Sequence, residues 1–326
     1  MTNALHSPEV STDGVAKDSC ATADHVVADV LDQFARNFLL NDLTPEQSGK
    51  LLEATKSDVV WSLSARLPRR RKSVVGRVHQ ARGSVRRLRS VLQTFPGLFD
   101  ADWSRTILTE LSWFGGVLGE SRDLDVLRMG ITKSLWLIDD EDIQSMVIEL
   151  LDRRIEEAQE RNAVERATKR YALLVDDIAT IGTDVVFNAK ASGPADEVLA
   201  AQLRGTWRDI EKAEDVARAQ SNNENLHELR KELKRLECAC EVLELVTGEP
   251  ALKLVQSANL AQKKLGVVHD ESVARAWLKS LTLLQPELKE PLRGIREFHK
   301  AARAEAKIGW KSLIDDVEQN WDDLKG

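Results

Sequence analysis

The chain has 326 residues, is 30% charged and 42% hydrophobic, and carries a formal charge of −7. That balance fits a globular protein of up to two ordinary domains and excludes a bulk cationic protein that adheres to any anion it meets. No apolar run approaches the roughly 18–20 residues of a membrane-crossing helix, no secretory leader pattern opens the chain, and three cysteines, an odd number, argue for the reducing cytoplasm.

Leu, Ala, Glu, Arg and Asp dominate while Gly and Pro are sparse, so helices are favoured over strands. Residues 1–20 are polar and aperiodic and read as a disordered tail. Helical periodicity begins near Asp24, with Val27, Val30, Leu31, Phe34 and Phe38 on one face. A second amphipathic stretch runs from Pro45 to about Leu63, Pro68 breaks it, and Arg69-Arg70-Arg71-Lys72 follows. The next helix is expected from Ser73 to Phe95, ended by Pro96-Gly97. Residues 102–118, 120–138, 140–160 and 163–182 read as further helices. The segment from Gly182 to Pro194 holds two glycines and a proline and marks the boundary between a first unit, 21–188, and a second, 189–326. Helices are expected again over 195–220, 224–246, 250–265, 270–283 and 286–323. No run shows the period of two that strands require, so the predicted class is all-α.

Charge is distributed unevenly. Residues 59–99 contain ten Arg or Lys and no Asp or Glu, which leaves −17 on the rest of the chain. Within that stretch, His79, Arg82, Arg86 and Arg89 fall within about an 80° arc of one helix. Val78, Val85, Leu88, Leu92 and Phe95 take a different arc and can enter a core. Like charges three and four apart repel by a few tenths of a kcal/mol each, roughly, and no local acid relieves them here. A bound polyanion would.

The pattern recurs. His79-Gln80-Ala81-Arg82-Gly83-Ser84-Val85-Arg86-Arg87-Leu88-Arg89 matches His227-Glu228-Leu229-Arg230-Lys231-Glu232-Leu233-Lys234-Arg235-Leu236-Glu237. Leu118-Gly119-Glu120-Ser121-Arg122-Asp123-Leu124-Asp125-Val126 matches Leu265-Gly266-Val267-Val268-His269-Asp270-Glu271-Ser272-Val273. His79 to Arg122 spans 43 positions and His227 to His269 spans 42. Each half therefore reads as a copy of one helical unit, a four-helix bundle. In the second copy His227, Arg230, Lys231 and Lys234 form the comparable stripe, weakened by Glu237 and His269 where the first copy has arginines. A third stripe, with Glu297 and Glu305 nearby, comprises Arg293, Arg296, Lys300, Arg303 and Lys307. Gly119 and Gly266 are expected to end helices, and Asp123, Asp125 and Asp270 to favour the start of the next. On that reading Arg122 is held by Asp123 or Asp125.

The two H-x-x-R-x-x-x-[RK]-R-L helices, each followed about forty residues later by L-G-x-x-[RH]-D-x-x-V, resemble the CHAD domain (conserved histidine α-helical domain). The resemblance implies two pseudo-symmetric four-helix bundles, a tandem repeat flanking a basic groove that binds inorganic polyphosphate, in proteins that gather on polyphosphate granules. Residues 42–72 then look like an insertion in the first unit. The implied contacts are His79, Arg82, Arg86, Arg89 and Arg122 from the first copy and His227, Arg230, Lys231 and Lys234 from the second. The third stripe contributes Arg296, Lys300 and Arg303 as candidates on charge alone.

Arginine suits this ligand because its planar, permanently charged fork matches phosphate oxygens. Competing readings are weaker. A single-strand nucleic-acid binder places aromatics among its cations, and residues 73–94 hold no Phe, Tyr or Trp. A phosphotransfer or hydrolytic enzyme needs a metal cluster or an activated nucleophile near the stripe, and neither can be assembled. No zinc spacing is present, and Cys238 and Cys240 point about 200° apart on a helix. The expectation is a non-enzymatic polyphosphate-binding protein of the cytoplasm, without cofactor or metal, possible partners being other granule proteins and not a membrane. A nucleic-acid-binding helical protein stands as the alternative.

Overall fold

The computed structural model describes residues 21–47 and 74–325. The predicted tail, the basic run Arg69–Lys72, Trp61 and most of the predicted insertion lie outside these residues. The described chain is all-α: it contains no β-strand, only isolated bridges between Thr22 and Pro194 and between Phe99 and Phe187.

Ten α-helices are assigned with full bounds among the described residues. Residues 21–188 contain α1 (Ala23–Asp42), α2 (Val74–Thr94), α3 (Ala101–Thr132), α4 (Glu141–Arg166) and α5 (Lys169–Thr180). Residues 189–325 contain α6 (Ala195–Ala219), α7 (Asn223–Thr247), α8 (Glu249–Leu284), α9 (Arg293–Ala306) and α10 (Trp310–Lys325). Residues 45–47 begin one more helical stretch, where Thr44 and Gln47 cap each other reciprocally at 3.3 and 3.1 Å.

Local chemistry sets most ends. Asp100 accepts from the amides of Asp102 and Trp103, and Asp140 from those of Asp142 and Ile143, so each opens a helix. Thr168 and Asn222 do the same for α5 and α7. Gly248, at φ +74°, separates α7 from α8. Gly309, at φ +78°, separates α9 from α10 and divides a stretch expected to be one helix; a side chain there would strain the left-handed backbone.

Two expected breaks are absent. Gly119 lies inside α3 and Gly266 inside α8, so 102–118 with 120–138, and 250–265 with 270–283, are fused. These helices of 32 and 36 residues span about 48 and 54 Å at the α-helical rise. A mid-helix glycine costs up to about 1 kcal/mol relative to alanine, and the site below shows what occupies the space it leaves.

The length of α3 and α8 organises the core. Buried side chains form two apolar clusters, and each draws on both halves of the chain. The first joins α1, α2, α5, α6, α7 and α10 to Ile107–Leu118 of α3 and Ala251–Val268 of α8. The second joins Leu124–Ile131 of α3 to α4, Ala274–Leu281 of α8 and Ile295 of α9. Trp103 and Trp113 pack partly buried against the first, Trp277 against the second. The clusters part at residues 119–123 on α3 and 269–273 on α8. This seam is where the downstream sequence motif falls.

Further ties cross the chain. Asp42, its side chain fully buried, receives a bidentate pair from Arg166 at 2.5 and 2.6 Å and the Tyr171 hydroxyl at 2.5 Å, locking the end of α1 to α4 and α5. Burial and the adjacent carboxylate push the Tyr171 hydroxyl's pKa up. Buried His299 bridges Ser134 at 3.1 Å and Glu271 at 2.6 Å, joining α9 to the end of α3 and to α8. Cys238 and Cys240 are buried free thiols whose pKa values burial pushes up.

Candidate functional site

The two motif helices are neighbours. Arg87 of α2 pairs with Glu241 of α7 at 3.1 Å, and its guanidinium lies 5.7 Å from the Phe34 ring centre. Arg235 of α7 donates to the Gln93 carbonyl of α2 at 3.2 Å. Burial works against the Arg87 charge, but Glu241 outweighs it and the pKa ends above its ordinary value. Arg87 and Arg235 thus fasten α2 to α7 and leave the next residues round the helix to face outward.

Three motif arginines make no ion pair or hydrogen bond with any described residue: Arg86, Arg89 and Arg122. Arg86 is exposed to solvent, yet the protein packed around it, followed by the charges of Arg87 and Arg82, holds its pKa down against the partial help of Cys238 and Glu237. Burial also lowers the pKa of Arg89, whose Nε is sealed from solvent without a partner. A buried polar nitrogen left in this state is costly unless a ligand reorganises it.

Arg82 pairs with Asp123 of α3 at 3.0 Å, and that carboxylate is 67% exposed, so the bond can be shared or exchanged. Across the seam, Arg230 is pushed down by burial; Asp270 and Asp123 oppose this, while Arg82 adds to it. Arg82 and Arg230, at matched positions of the two copies, therefore lie within each other's electrostatic reach. Asp270 is pushed up by burial, with Arg230 and His269 pulling it down.

The misread glycines belong here. A Cβ on Gly119 would come 3.8 Å from the Arg82 guanidinium, and one on Gly266 would come 3.3 Å from the Arg230 Nε. Gly115, one turn earlier, would bring a Cβ 3.4 Å from the Arg89 guanidinium. The glycines of α3 and α8 are the beds on which the arginines of α2 and α7 lie. Nothing in the local sequence distinguishes this role from a helix stop, although the repeat pairing of Arg82 with Arg230 and Gly119 with Gly266 carries the signal.

The other candidates fare differently. His79 is exposed on α2. Lys231 pairs with Glu228 at 2.9 Å on the surface. Lys234 pairs with buried Glu237, which also accepts from Asn259 at 2.7 Å, so the residue replacing the first copy's Arg89 neutralises the cation beside it. His227 stacks on His269 with ring centres 4.3 Å apart and 25° between planes. Burial is the main cause of the lowered pKa of both, and each is lowered further by Arg230. The expected hold of Asp123 on Arg122 is not formed, because Asp123 engages Arg82; Arg122 acts on Asp125 only through the field, slightly offsetting the burial that raises that carboxyl.

Arg296, Lys300 and Arg303 all lie on α9. Arg303 donates to Ser272 at 2.9 Å and bonds Asn223, one turn before His227, which places it at the margin of the seam. Lys300 is exposed and paired with Glu297 at 3.0 Å, and Arg296 is half-buried without an ion pair. Among the described residues, no three His, Cys, Asp or Glu side chains converge as a metal site. No described helix is long and apolar enough to cross a membrane.

The arrangement defines an all-α protein in which two paired motif helices and the two long helices beside them bring cations from both halves of the chain to one open seam. The CHAD domain model matches residues 62–279, two thirds of the chain, and the protein belongs to that family. Two uncharacterized proteins of Mycobacterium tuberculosis, MT2285 of strain CDC 1551 / Oshkosh and Rv2226 of strain ATCC 25618 / H37Rv, are each 28% identical over 213 residues. The match covers 62% of this chain and 39% of each relative, so the chain spans about two-fifths of the length of the curated relatives it matches. The fold is similar to the crystal structure of the CHAD domain from the plant Ricinus communis, with a TM-score of 0.64, 20% identity and coverage of 96% and 97% of the two chains. It is also similar to PptA from Streptomyces chartreusis, with a TM-score of 0.55, 17% identity and coverage of 93% and 100%.

Proposed function

We propose that this protein binds inorganic polyphosphate along the seam and does not turn it over, acting in the cytoplasm at polyphosphate granules. The observation that carries the reading is that Arg86, Arg89 and Arg122 make no ion pair with any described residue, while burial disfavours the charge of Arg86, Arg89 and Arg230. Such a set is relieved by a ligand with closely spaced negative charges. Polyphosphate has about one per phosphate and a flexible backbone that can follow an uneven surface, and its binding gains from counterion release as DNA binding does. The absence of aromatics along α2 removes the stacking platform a single-strand nucleic-acid binder would use.

Calorimetric titration with polyphosphate of defined chain length, at two salt concentrations, tests this directly. Submicromolar binding that weakens steeply with salt is expected, with DNA at equal charge a poor competitor. Absence of binding, or equal competition by DNA, overturns the reading. Phosphate released on incubation with Mg²⁺ or Mn²⁺ overturns its non-enzymatic part.

A further inference from the structure

The seam contains one group that charge counting passes over, His269. We propose that His269 is a binding residue of the polyanion site, neutral in the free protein and protonated when the anion is bound, so that binding takes up a proton and tightens on acidification. This inference rests on the polyphosphate reading and concerns regulation of that same site.

The geometry is a stacked pair spanning two helices, His227 on α7 and His269 on α8. In the repeat His269 occupies the place of Arg122. One copy thus carries a permanent charge at this position and the other an imidazole that can be neutral or charged. The surroundings come from five helices. Glu228, Arg230 and Lys231 lie on α7, and Asp270 is next to His269 on α8, where Glu271 is committed to His299. Asp123 acts from α3, and Arg82 of α2 adds its charge beside Arg230. Arg303 of α9 is held by Ser272, three residues past His269, and by Asn223, four before His227.

Two stacked rings beside Arg230 cannot both carry charge cheaply, and burial holds each below the ordinary histidine pKa. A polyanion reverses the balance, because it adds negative charge to the side where the cations now dominate. The proton goes to His269. The Nδ1 of His227 is sealed from solvent and has no acceptor, so a proton there would be left unpaired. His269 has the fields of Asp270 and Asp123 in support. His227 is left to offer its Nε2 edge.

The test is calorimetry with a long polyphosphate at about pH 8, 7 and 6, bracketing the ordinary histidine value, in two buffers of different ionisation enthalpy. Affinity should rise up to about tenfold per pH unit on acidification, and the measured heat should depend on the buffer as uptake of up to about one proton requires. This readout needs no variant, so folding is not at stake. His269→Gln should lose the slope and bind more weakly than wild type at about pH 6, and any slope left in it measures protons taken up by the ligand itself. His269→Arg should bind at about pH 8 as wild type does at about pH 6. Binding without proton uptake overturns this inference and leaves the polyphosphate reading intact. A full slope persisting in His269→Gln assigns the proton elsewhere and also overturns it. Absence of binding at every pH removes both.

Discussion

Arg86 separates binding from folding more cleanly than any other residue of the seam. It has no ion-pair partner, and the carboxylate nearest in charge effect, Glu237, is committed to Lys234 and Asn259. Its pKa lies below the ordinary value, so folding disfavours the charged form. For a base this sign means that the cost is present at every pH where the guanidinium is charged, which covers the whole working range. Arg86→Met keeps the aliphatic stem and deletes the charge, so thermal unfolding should occur at or above the wild-type temperature with helical circular dichroism retained. Binding should suffer. One charge-assisted hydrogen bond to phosphate is worth roughly 1.5–3 kcal/mol, which corresponds to about a 10–150-fold loss of affinity. The slope of log affinity against log salt should fall by about one as well. Arg87→Met is the matching control: it removes the pair with Glu241, lowers stability and leaves affinity nearly unchanged. Calorimetry and thermal melts on both variants decide the matter. If Arg86→Met loses stability and keeps its affinity, Arg86 is structural and the anion binds elsewhere.

The second copy should be improvable. Glu237→Gln keeps an acceptor for Asn259 and releases Lys234, so polyphosphate affinity is expected to rise severalfold. Stability should fall by roughly 1–3 kcal/mol, less than a fully buried pair would cost because Lys234 is part exposed. Calorimetry and denaturant unfolding read the two effects. Asp29 has a carboxyl pushed up to about 6, first by burial and then by Asp32, with His25 opposing. Its folded pKa lies above its unfolded one, so its ionised form costs stability above about pH 6 and the cost fades as pH falls toward the unfolded value. Asp29→Asn should therefore stabilise the protein by roughly 1–2 kcal/mol at about pH 8, discounted for partial exposure, with no gain below about pH 4; urea unfolding across that range shows it.

The helices were legible because their apolar faces and capping residues are local: Asp100, Asp140 and Asn222 sit where each helix starts. The breaks at Gly119 and Gly266 were misread because the reason for those glycines lies on another helix, 36 or 37 positions away at Arg82 and Arg230. Gly309 was missed for the opposite reason. The charged stripe runs on past it, and only the backbone angle reveals the turn. The candidate cations were all visible, but which were available was not. Arg87 and Glu241 are 154 positions apart and Arg82 and Asp123 are 41, so a stretch without acids in sequence is not one without acids in space. The stacking of His227 on His269, 42 positions apart, was not legible in the sequence and comes from the packing of α7 against α8.

The pattern of pairing carries the functional argument further than the charge total does. The repeat supplies each half with the same set of motif positions, and the fold assigns them two duties. Arg87 and Arg235 turn inward and tie the motif helices together through Glu241 and the Gln93 carbonyl. Arg86, Arg89 and Arg122 form no ion pair with a described residue, whereas Glu237 pairs with Lys234 in the second copy. Burying the charges of Arg86 and Arg89 without a paired acid costs the empty protein stability, and on the proposed reading an anion reaching both would offset that cost. A single phosphate engages one or two arginines. A chain of phosphates engages the set, and each contact after the first is intramolecular and so forms at high effective concentration. On the proposed reading the seam would discriminate by the number of linked charges, with Arg82 and Arg230, laid against Gly119 and Gly266, close enough for one polymer to reach both.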